Sequence, residues 1–150
     1  MDELWELPPE IRTYITEHDL PIQMYSSSVG RGFEGLEPET GIVTAVIKNE
    51  DNDVLFICHS EENRFWELPS GHIKENENPE KAINREVLEE TGYTLDHVQP
   101  VVAIIWPFED TIRVQVVFNA QVDNKQSSPS DNEAEEIAWH NEVPDNVTFG

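Results

Sequence analysis

The stretch GHIKENENPEKAINREVLEETGY, residues 71–93, contains the clearest structural signals in the sequence. Asn78 is a favourable helix N-cap, and Pro79 suits the first helical position, where the backbone N–H has no partner to lose. Gly92 can end the segment because glycine adopts the left-handed conformation at low cost. The pattern therefore predicts a loop that leads into a helix between Asn78 and Gly92.

Two faces of this predicted helix differ in chemistry. At about 100° per residue, one arc is apolar and consists of Ile83, Val87 and Leu88. Another arc is acidic and consists of Glu86, Glu89 and Glu90. Ala82 falls within the acidic arc, where its small side chain leaves room for an approaching group. Like charges at i, i+3 and i+4 cost ~0.2–0.5 kcal/mol per pair on an exposed helix. The arc is therefore either a tolerated solvated face or a metal site.

The chain is strongly acidic, with 31 acids, 9 bases and a formal net charge of −22 over 150 residues. Its length suits one domain with a sizeable core. Because the acids run from Asp2 to Asp145, they indicate a solvation strategy rather than a binding patch. We infer a cell with high internal salt, and an ordinary acidic protein is the alternative. A chain of this charge is not expected to bind nucleic acid through general electrostatic attraction.

The sequence shows no signal of export or of membrane insertion. Residues 1–20 are acidic and contain no apolar signal-peptide segment. No apolar run reaches the ~18 residues that a membrane-spanning helix needs. Cys58, the single cysteine, lies in the apolar run VLFIC and fits a small buried side chain. We therefore expect a cytoplasmic protein.

Strand patterns surround the predicted helix. The β-branched and apolar runs are GIVTAVIK (41–48), VLFICHS (54–60), RFWELPSG (64–71), HVQPVVAIIW (97–106), TIRVQVVFNAQV (111–122) and EIAWH (136–140). The first two form a hairpin, PFED is a turn between the fourth and fifth, and residues 123–135 are a polar loop. Residues 4–18 predict a short helix or an early strand, and residues 26–41 a loop or a loosely paired strand.

Strands around one strong helix predict an α/β or α+β sandwich, with a mixed sheet and the helix packed on it. We divide the chain into an N-terminal extension, residues 1–40, and a domain, residues 41–150.

The acidic helix ends a longer pattern, G-x5-E-x7-R-E-U-x-E-E-x-G-U, in which U is bulky and apolar or aromatic. All its defined positions are filled, by Gly71, Glu77, Arg85, Glu86, Val87, Glu89, Glu90, Gly92 and Tyr93. A chance match at this composition is on the order of a few in a million. The sequence here resembles the Nudix hydrolases over roughly residues 41 to 143.

Hydrolysis of a pyrophosphate explains why acids would be gathered in this way. Water must be added to a polyanion, so the developing negative charge needs to be neutralised. Mg²⁺, or Mn²⁺ in its place, suits carboxylate oxygens and substrate phosphates. Without a cation, two carboxylates ~6 Å apart repel by roughly 3 kcal/mol at an effective dielectric of 20. The acidic arc is therefore interpreted as a metal site.

The resemblance implies a role for each residue of the pattern. Glu86 and Glu90 are the main metal ligands, and Glu89 is either a ligand or the base that activates water. Gly71 turns the loop tightly and offers its carbonyl to the metal. Arg85 orients the glutamates through an i, i+4 pair with Glu89. Glu77 lies at the loop–helix junction and acts structurally.

Two further features of the family pattern bear on activity. Many members have Pro-Gly-Gly where this chain has Pro69-Ser70-Gly71, and a positive φ at Ser70 would introduce strain. A late glutamate often completes the site from the loop before the final strand. Glu133 is the first candidate for that role and Glu136 the second.

Substrate contacts are only weakly encoded. Arg64 and Arg113 are candidate phosphate contacts, and Trp66 is a candidate to stack on a base. Other aromatic candidates, which equally fit a core, are Trp106, Phe108 and Tyr25. The histidines at 59, 72, 97 and 140 lack the spacing of zinc ligands.

We therefore expect Mg²⁺-dependent hydrolysis of a nucleoside diphosphate linked to another moiety, such as ADP-ribose, a dinucleoside polyphosphate or an oxidised nucleoside triphosphate. The alternative is a Nudix-fold module that senses a nucleotide without cutting it. The expected partner is a nucleotide-like small molecule, not nucleic acid or membrane, and a homodimer is compatible with the sequence. A calcium-binding scaffold would need a D-x-D-x-D-G loop, which is absent from the sequence.

Overall fold

A computed structural model of the chain describes residues 7–24, 37–38, 41–58, 66–108, 111–125 and 136–141. Two helices and eight strands lie in these ranges. In chain order they are α1 (Pro9–Glu17), β1 (Ile22–Met24), β2 (Glu37–Pro38), β3 (Ile42–Lys48), β4 (Val54–Cys58), β5 (Ser70–His72), α2 (Pro79–Thr91), β6 (Tyr93–Phe108), β7 (Thr111–Lys125) and β8 (Glu136–His140).

The strands form one mixed sheet with the order β1-β6-β7-β3-β4-β8. β3 pairs with β7 in parallel, whereas its neighbours β4 and β5 run antiparallel to it. β6 and β7 form a long antiparallel pair whose register shifts at three points. The predicted α+β fold with a mixed sheet is therefore confirmed.

One face of the sheet is the hydrophobic core. Alternation along the central strands turns every second side chain towards this face. The members from β3, β6 and β7 are all buried: Val43, Ala45, Ile47, Ala103, Ile105, Val114, Val116 and Phe118. The intervening side chains of the same strands point to the opposite face, which carries the cavity described below.

Both helices cover the core face. α1 contributes Ile11, Tyr14 and Ile15, and Leu7 and Leu20 beside it are also buried. The helix alternative for this part of the chain is therefore confirmed. Tyr14 lies at the contact between the helices, with its hydroxyl 3.5 Å from Oε1 of Glu80.

α2 has the boundaries that its sequence predicts. The side chain of Asn78 accepts a hydrogen bond from Lys81 N at 2.8 Å, which caps the first turn. Gly92 ends the helix with φ 81°, and its N–H donates to Leu88 O. The predicted apolar arc is wrong at Leu88, which is 39% exposed. The buried arc is instead centred between Ala82 and Val87, and Leu88 lies on the far side.

Several strand boundaries differ from the expectation. β6 begins at Tyr93 and β7 continues to Lys125, because the two strands extend their pairing beyond the apolar runs. The run 64–71 is not one strand in its described part: Glu67 bridges to Ile57, and β5 starts at Ser70. Between residues 26 and 41, Glu37 and Pro38 pair in parallel with β7, as the loosely paired alternative predicts.

Cys58 is buried in β4, as expected for a small core side chain. None of the helices in the described ranges is long and apolar enough to cross a membrane.

Candidate active site

The loop before α2 is folded back on itself by Glu77. Its backbone N–H donates to Lys74 O at 3.1 Å, and its Oε1 accepts from Lys74 N at 2.9 Å. Asn76, inside this turn, has φ 64°, a conformation that asparagine adopts more readily than most residues. The turn buries the Glu77 carboxylate beside α2.

Arg85 compensates for the cost of burying the Glu77 carboxylate. Its Nε donates to Glu77 Oε2 at 2.8 Å, and its Nη2 donates to Glu77 Oε1 at 2.9 Å, which is a bidentate pair. Nη2 also donates to the carbonyl of His72 at 2.9 Å. The hydrogen bonds from Arg85 lower the pKa of Glu77 to about 2, against the opposing effect of burial. The hydrogen bond to Glu77 in turn raises the pKa of Arg85.

The same guanidinium reaches the acidic arc. Nη1 of Arg85 donates to Glu86 Oε1 at 2.8 Å and to Glu89 Oε2 at 3.3 Å. The expected i, i+4 pair between Arg85 and Glu89 is therefore present, but it is the longest of these contacts. Glu77, eight residues earlier, is the main partner because the loop folds back along the helix.

Gly71 is required by contact rather than by a turn. It lies in β5, paired with Val43, and its φ is outside the left-handed region. A Cβ at this position would overlap Cγ, Cδ and Oε2 of Glu86. The expectation of a tight turn at Gly71 is therefore wrong: the missing side chain lets the Glu86 carboxylate pack directly on the strand. Ser70 also has no positive φ, so the strain considered for it is absent.

Glu90 lies inside the buried arc of α2. The arc also includes Pro79, Ala82, Ile83, Val87 and Thr91. Only 3% of Glu90 is exposed, and its Oε1 accepts a hydrogen bond from Ser70 N at 3.1 Å. Burial of a carboxylate costs free energy that an apolar side chain would not cost. Core packing alone therefore does not explain this residue.

The three glutamates of the acidic arc differ in accessibility. Side-chain exposure is 13% for Glu86 and 37% for Glu89, and Glu90 is buried. Glu86 and Glu90 lie against β5, whereas Glu89 extends towards solvent. The arrangement allows Glu89 to contact water while the other two remain fixed by the strand.

The donor chemistry of this cluster fits a hard divalent cation. Carboxylate oxygens are the ligands that Mg²⁺ prefers, and Gly71 places its backbone beside one of them. Within the described ranges, no three carboxylate, imidazole or thiol groups already converge on a common point. Glu86 contacts Arg85 instead.

A cavity of about 680 Å³ opens on the other face of the sheet. Its described lining comes from β3, the segment before and within β5, β6 and β7. The residues are Ile42, Thr44, Glu67, Leu68, Ser70, Gly71, His72, Ile104, Trp106, Arg113, Gln115 and Val117. Arg113, a predicted substrate contact, therefore lines the cavity, together with Trp106 from the wider set of aromatic candidates.

Trp66 is placed elsewhere. Its ring packs against the imidazole of His140 in a T-shaped arrangement, with the ring centroids 5.3 Å apart. The same imidazole also packs against Phe56. Since Glu67 lines the cavity, strand alternation turns the preceding tryptophan away from it. The prediction that Trp66 contacts the substrate gains no support from this position.

Three other candidates lie outside the described residues: Arg64, Glu133 and Tyr25. For Glu136 and Phe108 only the strand positions are described.

Thr44 and Gln115 line the cavity, but the sequence analysis did not identify them as candidate substrate contacts. Both occupy alternate positions on strands whose buried neighbours are apolar, and that alternation is the signal that could have identified them.

The chain was compared with known proteins. The model of the NUDIX domain matches residues 38–142. A NUDIX hydrolase from Nitrosomonas europaea is 26% identical, with a TM-score of 0.55, and the match covers 67% of this chain and 71% of that one.

Two further solved structures share the fold. A MutT NUDIX hydrolase from Burkholderia pseudomallei is 22% identical, with a TM-score of 0.58, and the match covers 73% of this chain and 89% of that one. A mutant of the Bacillus subtilis pyrophosphohydrolase BsRppH is 21% identical, with a TM-score of 0.61. That match covers 71% of this chain and 66% of the Bacillus chain.

The family match spans most of the chain and includes all of β3 to β8. The recognition of the family from residues 71–93 is therefore confirmed, and the two solved structures share the fold of this chain. The chain belongs to the Nudix family.

Proposed function

We propose that this protein hydrolyses a pyrophosphate bond in a nucleoside diphosphate linked to another moiety, with Mg²⁺ as its cofactor. The observation that carries the proposal is the pair Glu86 and Glu90. Gly71 lets Glu86 pack against β5, and Glu90 is held in a buried arc next to the same strand. Two carboxylates packed against the same strand cost free energy unless a cation neutralises them. The phosphorylated substrates of the family give a reason to bind such a cation.

The residues that would hold the cation are Glu86, Glu90 and Glu89, with the carbonyl of Gly71 as a further oxygen. When bound, Mg²⁺ neutralises charge on the phosphate oxygens and so lowers the barrier to attack by water. Mn²⁺ can take the same oxygen ligands.

The chain's own groups perform the remaining tasks. Arg85 holds the Glu86 carboxylate through Nη1 and is itself fixed by Glu77. Glu89, the most exposed of the three acids, can accept a proton from the attacking water. Glu133 remains the proposed late glutamate, and Arg113 the proposed phosphate contact at the cavity. Glu77 has a structural part, because its carboxylate is already engaged by Arg85 and Lys74 N.

The alternative is a Nudix-fold module that binds a nucleotide without cutting it. A sensor needs a ligand pocket, which the cavity supplies, but it does not need a carboxylate buried at the cost that Glu90 incurs. The complete set of three glutamates therefore favours catalysis.

A turnover screen tests the proposal directly. The panel contains ADP-ribose, diadenosine polyphosphates and oxidised nucleoside triphosphates, each with Mg²⁺, with Mn²⁺ and with excess chelator, in molar KCl. We expect a nucleoside monophosphate and a second phosphorylated product, formed only with metal. Undiminished turnover after exhaustive chelation would contradict the metal site, and binding without product in any metal would favour the sensor.

The net charge of the chain bears on the cellular environment in which this activity would take place. A net charge of −22 spread along the chain supports a cytoplasm with high internal salt, where surface repulsion is screened. The proposed partner is a nucleotide-like small molecule, and neither nucleic acid nor a membrane is part of the proposal.

A further inference from the structure

Ser70 is the position at which this chain departs from the Pro-Gly-Gly of many family members. It lies in β5 directly opposite Thr44, and both residues line the cavity. Gly71, the next residue, faces Glu86 on the helix side of the strand. Since successive side chains of a strand point to opposite faces, the Ser70 hydroxyl is on the cavity side. The serine therefore adds a hydroxyl group at the boundary between the cavity and the carboxylates.

The backbone and the side chain of Ser70 have different partners. The backbone N–H donates to Glu90 Oε1 at 3.1 Å. In the part of the chain that the structure describes, the hydroxyl makes no hydrogen bond. One residue thus holds a proposed metal ligand through its backbone and presents an unused donor through its side chain.

The polar groups next to Ser70 on the cavity side leave this donor for a ligand. Gln115 Nε2 donates to Thr44 Oγ1 at 2.6 Å, and Thr44 is 7% exposed. Because Thr44 Oγ1 already accepts this bond, its own proton can go to the oxygen of its cross-strand partner, Ser70. A Ser70 oxygen that accepts from Thr44 keeps its own proton for a ligand. An anionic oxygen, which can only accept, suits that proton best.

We propose that Ser70 is a substrate-binding residue whose hydroxyl donates to a phosphate oxygen of the bound diphosphate. The inference rests on the proposed function, since it adds a contact to the substrate of the same site. Both main proposed metal ligands lie at β5, with Glu86 against Gly71 and Glu90 at the N–H of Ser70. A phosphate that reaches these carboxylates from the cavity therefore passes the Ser70 hydroxyl.

A neutral donor suits the charge of this region. A lysine at this point would pair with the carboxylates in place of the cation, whereas a hydroxyl leaves them free to bind it. Among the described lining residues of the cavity, Arg113 is the one arginine or lysine. A hydrogen bond from a neutral group also depends little on screening by salt, which acts between charges. The contact would therefore persist at high ionic strength.

Equilibrium binding without turnover tests the contact. The probe is methylenebisphosphonate with Mg²⁺ in molar KCl; it carries two phosphonate groups and neither base nor sugar, and water does not cleave its P–C–P link. Ser70→Ala should raise the dissociation constant of the probe about tenfold, as for loss of one hydrogen bond to a charged group. Ser70→Gly should lose as much, whereas Ser70→Thr keeps a hydroxyl and should stay within about threefold of the wild type.

Binding of Mn²⁺ alone distinguishes a substrate contact from a support for Glu90. All three variants keep the backbone N–H at position 70, so the dissociation constant of Mn²⁺, measured without the probe, should change less than about twofold. The loss of probe affinity in Ser70→Ala should also be equal, within about twofold, at about 0.2 M and about 2 M KCl, because the donor is neutral.

The outcomes separate this inference from the proposed function. If the wild type does not bind the probe, or if Ser70→Ala binds it as tightly as the wild type, Ser70 is not a phosphate contact. Equal losses of Mn²⁺ and probe affinity, equal losses in Ser70→Thr and Ser70→Ala, or a loss that disappears at high KCl would also overturn the inference.

A variant that fails to fold does not prevent the decision. If thermal unfolding shows that Ser70→Ala is not folded, the comparison of Ser70→Gly with Ser70→Thr decides by the same criteria. Failure of turnover on every substrate, with probe binding that depends on the hydroxyl as expected, would instead contradict hydrolysis alone.

Discussion

Glu77 and Glu90 are both buried, with 6% and 3% of their surface exposed, but they are held differently. Glu77 receives two hydrogen bonds from one guanidinium and a third from Lys74 N, and its pKa falls to about 2. Glu90 accepts from the backbone N–H of Ser70 and lies in the arc of α2 that faces the sheet. The first carboxylate therefore fixes the loop, whereas the second is placed where a cation would be needed. Similar burial thus serves stability in one case and, we propose, chemistry in the other.

Neutralising the proposed ligands gives the largest expected effect. Glu90→Gln keeps the size of the side chain and an oxygen for Ser70 N–H, but it removes the charge. We expect kcat to fall by a factor of about a hundred or more, as for loss of one electrostatic contact to the transition state. Glu86→Gln should behave similarly, and both should change the thermal midpoint little. Steady-state kinetics with saturating Mg²⁺ measures the loss.

Glu75→Gln is the matched control. Glu75 is an exposed acid in the loop before α2, at a position that the sequence pattern leaves free. Its kcat should remain within about twofold of the wild type. An equal loss in Glu75→Gln and Glu90→Gln would mean that general negative potential, rather than ligation, is responsible.

Gly71→Ala should reduce kcat by about tenfold or more, since the new methyl group must displace Glu86 from β5. Gly41→Ala is the companion variant: its Cβ would meet Ile11, Val114 and Ile73 in the core. That change should cost about 1–3 kcal/mol of stability and leave kcat nearly unchanged. Kinetics and urea unfolding on both proteins measure the difference. The reverse pattern, with activity lost in Gly41→Ala and retained in Gly71→Ala, would refute the role of the strand contact.

Glu77→Gln should lower the free energy of unfolding by about 2–3 kcal/mol at neutral pH, because Arg85 loses its bidentate partner. The folded pKa of about 2 is below the ordinary value of 4.5, so the stabilisation is complete above about pH 4.5 and is lost as the pH falls towards 2. The difference from the wild type should shrink across that interval in urea unfolding. Activity should fall by less than in Glu90→Gln, since Arg85 still contacts Glu86. A difference that grows on acidification would contradict the assignment.

The smallest expected effect is that of salt on the buried pair of Glu77 and Arg85. Salt should act mainly on the exposed charges: the thermal midpoint of the wild type should rise with KCl, since the Debye length falls from ~30 Å at 0.01 M to ~3 Å at 1 M. The stability difference between wild type and Glu77→Gln should change by less than about 0.5 kcal/mol over that range, because buried pairs are screened much less. A wild-type midpoint independent of KCl would remove the inference of a high-salt cell and leave the site unaffected.

Local signals predicted α2 well, because each acts within one helical turn. Asn78 caps Lys81 N and Gly92 adopts φ 81°, as the residue types require. The hydropathy pattern of the helix did not predict which side chains are buried, because burial depends on how α2 packs against the other elements. Leu88 is exposed and Glu90 is buried, the opposite of what their hydropathy favours.

The geometry of the site depended on contacts between distant segments. Arg85 pairs mainly with Glu77 because the turn at Asn76 brings the loop back, and no spacing rule within a helix contains that information. Gly71 was recognised from its place in the pattern, but its physical reason, the approach of Glu86, appears only when β5 and α2 are packed. The hydrogen bond between Thr44 and Gln115 likewise depends on the parallel pairing of β3 with β7.

The position of α1 and β1 has a practical consequence for anyone who shortens this protein. The family match begins at residue 38, yet Ile11, Tyr14 and Ile15 pack in the core, and β1 covers the edge of β6 through Ile22–Met24. A fragment trimmed to the matched range would expose that apolar surface together with an unpaired strand edge, the combination that promotes aggregation. Truncated expression should therefore give insoluble material, and fusion tags or reporters belong upstream of α1 rather than in its place.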